Sequence, residues 1–112
     1  MTRKLLITAT LLALALPVAA DFRTVQLAHE VALSEIRLPQ SESGTLAFRT
    51  CDSCDFRTER VTPETRYLLN GKAIPLDKFR IALSRVQDRE SMAVTVLHHL
   101  EKDRITQVSV YL

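Results

Sequence analysis

The chain of 112 residues has only two glycines, two cysteines and four prolines, and it has no tryptophan. Each shortage excludes something. With Gly44 and Gly71 alone, there is no glycine-rich loop to cradle a phosphate, and no serine sits in a glycine-flanked nucleophile elbow. No residue is therefore assigned a catalytic role, and no cofactor is expected. Charge of one sign is missing too, since 15 Lys+Arg stand against 13 Asp+Glu. The surplus is Arg3 and Lys4, both near the start, and the chain beyond residue 20 is balanced. A balanced surface has no bulk attraction for a phosphate backbone, which argues against nucleic acid as a partner. Long apolar runs are absent after residue 20, where nothing approaches the roughly 20 apolar residues that cross a bilayer.

The first twenty residues do have such a run, but a short one. Arg3 and Lys4 form a positive start, residues 5–16 are almost wholly apolar, and Pro17 precedes the small residues Val18, Ala19 and Ala20. This three-part pattern predicts a secretory signal peptide over residues 1–20, cleaved before Asp21. What remains, residues 21–112, is the length of one small domain, periplasmic or secreted and not embedded in the membrane once cleaved. Its apolar residues are too frequent and too regularly spaced for disorder.

Residues 21–30 show no clear period. Val31, Leu33, Ile36 and Leu38 read as a strand with a slip in alternation near Ser34–Glu35, and residues 45–50 and 56–62 read as two more. Asn70-Gly71 signals a tight hairpin between residues 66–69 and 72–76. Leu76, Phe79, Leu83 and Val86 share one helical face, which predicts a helix over residues 78–87 with Asp77 as its N-cap. Residues 92–99 alternate, with Met92, Val94, Val96 and His98 on one face, and a charged turn leads to a last strand over residues 105–112. The expected fold is α+β: an antiparallel sheet of about five or six strands with one packed helix.

Cys51 and Cys54 form a C-x-x-C, and in an exported protein the default is a disulfide that staples a tight loop. A redox centre is the second reading, weakened by Asp52 and Asp55, whose carboxylates oppose a thiolate. A metal site is the third, with His29, His98 or His99 completing the ligands, although His98 and His99 must point to opposite faces of their strand. No metal ligand is assigned. Arg49, Arg57, Arg60 and Arg66 bracket the cysteine loop, and guanidinium forks suit an anionic ligand or a partner's carboxylates. The plainer reading pairs these arginines with Glu35, Glu59 and Glu64 on a solvated face.

The segment from Leu46 through Cys51-x-x-Cys54, with Val61-Thr-Pro-Glu-Thr-Arg-Tyr-Leu-Leu-Asn-Gly-Lys72 and Pro75-Leu76, resembles a group of small exported proteobacterial proteins. That resemblance implies an exported module and no activity. The strand–Asn-Gly–strand–helix order around Tyr67–Leu76 is also similar to the periplasmic domains of ExbD and TolR type proteins, and implies architecture only. The expectation is a non-catalytic binding module that meets an envelope protein or component. The alternative is a thiol-redox or metal-handling protein using the C-x-x-C.

Overall fold

A computed structural model describes residues 25–112, so the signal peptide expected over residues 1–20 lies outside the described residues. The chain enters as strand β1 (Gln26–Ala32). A single 3-10 turn, Leu33–Glu35, then breaks the strand expected over residues 31–38 at the place where its alternation slips. Beyond it, the two-residue β2 (Ile36–Arg37) belongs to a different sheet. β3 (Thr45–Phe48) and β4 (Arg57–Arg60) complete that small sheet, ordered β2-β3-β4 and antiparallel throughout.

β5 (Arg66–Leu69) and β6 (Lys72–Ile74) form the Asn70-Gly71 hairpin. Both turn residues take positive φ, 53° and 84°, as a two-residue primed turn requires. Helix α1 (Leu76–Ser84) follows at once. It starts two residues before the expected position, and its N-cap is Pro75, not Asp77. Pro75 supplies the extended backbone of a cap, while Asp77 lies in the first turn, where its carboxylate suits the positive end of the helix dipole. At the other end Arg89 Nη1 donates to the Leu83 carbonyl over 2.7 Å, satisfying an acceptor that the helix leaves open.

β7 (Ala93–His99) and β8 (Arg104–Val110) form the expected antiparallel hairpin. The larger sheet is ordered β1-β7-β8-β5-β6, and it is mixed, because β5 and β8 run parallel. The single antiparallel sheet of five or six strands is thus corrected to eight strands in two sheets. α1 and the loop after it form a crossover that carries the chain past β8's place to β7, and the return from β7 brings β8 down beside β5 in the same direction. Ladder register explains the last strand's uneven apolar spacing. Leu97 faces Gln107 but His98 faces Ile105, so Thr106 is an extra residue in a β-bulge. The bulge keeps Ile105 inward together with Val108 and Val110, all buried.

One face of the larger sheet carries the core. α1 covers part of it, with Phe79 against Tyr67 at 5.4 Å between ring centroids. The small sheet meets the same apolar cluster, with Phe48 5.2 Å from the His29 ring of β1. Phe48 and Phe79 are fully buried, each contributing about 2–3 kcal/mol by transfer from water. Thr65 pins the β4–β5 connection to the hairpin. Its hydroxyl donates to the Ile105 carbonyl over 2.6 Å and accepts from the Thr62 amide over 3.0 Å.

Candidate functional site

The loop between β3 and β4 holds the disulfide of Cys51 and Cys54, tightened by the Cys54 amide donating to the Cys51 carbonyl over 3.2 Å. Cys51 is exposed and Cys54 half-buried, and the segment is turn and bend. Among the described residues no helix begins there to stabilise a thiolate. Just past it, Phe56 takes the guanidinium groups of Arg37 and Arg49 over its ring, at 4.2 and 4.8 Å from the centroid.

The arginines that bracket this loop are each drawn into different company. Arg49 is ion-paired with Glu35, and that pairing holds the Glu35 carboxyl below its ordinary range. Arg57 donates through Nε and Nη2 to Glu59 Oε2, at 3.2 and 2.9 Å, and lies 5.5 Å over the Phe48 ring. Arg60 Nη2 reaches the Lys102 carbonyl of the β7–β8 turn at 3.2 Å. Arg66 stands on the larger sheet at the start of β5, exposed, beside a shallow groove with Glu42 and Tyr67. Two of the expected arginine–glutamate pairs are therefore present, while Glu64 pairs with Arg104 at 2.9 Å.

A second group of side chains meets where β4 approaches the β7–β8 hairpin. The inward alternation of β7 buries His98, and its Nε2 lies 2.9 Å from Asp103 Oδ1 and 3.5 Å from Glu59 Oε1. Facing two carboxylate oxygens, Nε2 must carry a hydrogen, while Nδ1 is buried without a hydrogen-bond partner. Glu59 is largely buried, its other oxygen held by Arg57, and Asp103 is exposed in the hairpin turn at φ 51°. The His29 ring lies 6.5 Å from that of His98, and its Nε2 is likewise buried and unpartnered. Burial, then Arg57 and His98, hold the His29 imidazole below its ordinary pKa, with Glu59 acting the other way. His99 points to the opposite face as expected, and its Nδ1 accepts from the Lys102 amide over 3.1 Å.

The metal reading of the sequence joined histidines to the cysteines, but the cysteines are closed on each other. The one group of metal-capable donors among the described residues is Glu59, His98 and Asp103. Asp103 had a faint signal, a carboxylate in the turn that returns beside His98. Glu59 had none, because it comes from another sheet 39 positions earlier. Comparison with protein-family models, with curated proteins and with solved structures finds nothing that matches this chain.

Proposed function

We propose that the chain is an exported, non-catalytic binding module that takes an extended segment of an envelope protein onto the free edge of β1. The single observation that carries this reading is how differently the four sheet edges are treated. β2 has two residues, with Pro39 soon after. β4 reads Arg-Thr-Glu-Arg, with three charges in four positions, and β6 has three residues beginning with Lys72 and followed by Pro75. Short length, charge and proline are the usual guards against unwanted strand pairing. β1 has seven residues with neither lysine nor proline, and Leu27 is exposed on it.

Its hydrogen-bonding phase can be read directly. Leu33 N donates to Met92 O, and Leu100 N donates to Val25 O, so residues 25, 27, 29, 31 and 33 face β7. The backbone amides and carbonyls of Gln26, Ala28, Glu30 and Ala32 then point away from the sheet, where an added strand would find them. Export is supported by the three-part pattern of residues 1–20. The thiol-based alternative is disfavoured by the carboxylates of Asp52 and Asp55, next to the cysteines in the chain, and by a turn, not a helix start, at that place.

A photoreactive side chain at position 28 tests the reading in cells. It should capture an envelope protein, the same group at position 73 on β6 should not, and Glu30→Pro should remove the adduct. Proline there deletes an outward amide without breaking the ladder to β7. Equal capture from position 73, an adduct indifferent to Glu30→Pro, or capture only of a second copy of this chain would each refute it.

A further inference from the structure

We propose that Glu59, His98 and Asp103 form a binding site for a divalent first-row transition metal cation of the zinc type, independent of the β1 edge. The three donor atoms all lie within 4.8 Å of one another, one nitrogen and two oxygens from three separate strands or turns. Tetrahedral ligands about 2.0–2.1 Å from a zinc ion stand roughly 3.3 Å from each other. His98 Nε2 lies 2.9 Å from Asp103 Oδ1 and 3.5 Å from Glu59 Oε1, which brackets that spacing. A cation between them would replace the hydrogen that Nε2 now shares with the carboxylates.

Supporting groups are already arranged. Metal-bound carboxylates are usually held by an outer hydrogen bond, and Arg57 fixes Glu59 through Oε2, leaving Oε1 turned towards His98. Binding at Nε2 would move the imidazole hydrogen to Nδ1, a buried atom that now has no partner. The neighbouring His29 ring, 6.5 Å away between centroids, presents a buried Nε2 that also lacks a partner, so two unsatisfied imidazole nitrogens lie buried at this place. Two carboxylates against one guanidinium leave the immediate site with a surplus carboxylate, which favours a cation.

Donor chemistry selects the class of ion. Imidazole nitrogen favours zinc, nickel or copper over magnesium and calcium, and the absence of a thiolate removes the preference for soft cuprous ion. Three protein ligands leave a position open to water or to a donor from another molecule, since Asp103 faces solvent.

The test is a calorimetric titration of the full chain, disulfide intact and chelator-treated, with zinc ion alone. His98 imidazole resonances are followed by nuclear magnetic resonance in parallel. One zinc per chain is expected, with the His98 signals shifting and those of His99 unmoved. Asp103→Asn, an exposed change that spares the fold, should weaken binding at least about 10-fold, and His98→Gln should abolish it. No saturable binding, or binding that moves His99 in place of His98, overturns the site. If His98→Gln does not fold, Asp103→Asn decides alone: unchanged zinc affinity in that variant overturns the proposal.

Discussion

Tyr67 is the residue whose chemistry is most at odds with its surroundings. Its ring packs on Phe79, but its hydroxyl is buried without a hydrogen-bond partner, and burial, with Glu42 adding to it, raises its pKa to about 12. A buried hydroxyl left unpaired forfeits its hydration, at a cost of about 1–3 kcal/mol. Tyr67→Phe should therefore leave stability unchanged or raise it by about 1 kcal/mol, as read by urea unfolding at neutral pH. The same change should act at alkaline pH. Between the unfolded value near 10 and the folded value near 12, only the unfolded chain loses the phenolic proton, so wild-type stability falls as pH rises through that window. The phenyl ring of the variant has no proton to lose, and the decline should flatten. A clear loss of stability in this variant at neutral pH would mean that the hydroxyl has found a partner. At this scale the sequence exposed the cysteine pair and the opposite charges of Arg49, Arg57, Glu35 and Glu59. It hid the company of His98, because Glu59 and Asp103 reach it through the meeting of two sheets and the turn of a hairpin.

Among the elements, the short covalent loop between β3 and β4 has the plainest energetic prediction. Chain-entropy reasoning gives a four-residue disulfide loop about 2 kcal/mol. Joint substitution of Cys51→Ser and Cys54→Ser should lower unfolding free energy by no more than about that amount and leave the circular dichroism spectrum intact. Collapse of the fold would show that the disulfide holds more than its own loop. α1 and the two tight hairpins were legible because their signals are local: apolar residues three and four apart, an Asn-Gly pair, strict alternation along β7. The 3-10 turn at Leu33–Glu35 showed only as a slip, since one misplaced step does not say that the chain is changing sheets. The bulge at Thr106 was equally faint, although it decides that Ile105 is a core residue. The parallel contact of β5 with β8 was not legible, as nothing in either segment announces a partner 41 positions away, the separation of Arg66 and Gln107.

For the molecule as a whole, that same contact makes β8 the keystone. It lies in the middle of the larger sheet, with β7 on one side and β5 on the other, and it brings Ile105, Val108 and Val110 to the core. A chain ending at residue 103 should therefore lose the cooperative unfolding transition altogether, because the β5–β6 hairpin would have no link to β7. A retained sigmoidal melt would count against that. Distant pairings of this kind also slow folding, because the loop must close before the contact can reward it. The central position of β8 has a further meaning in the order of synthesis. Both of its neighbours leave the ribosome before it does, each already able to pair with β1 or β6 on its far side, and the edge that faces β8 stays open until residue 110 has been made. A nascent chain built this way cannot lock into its finished shape early. It stays open to threading until its last strand has emerged.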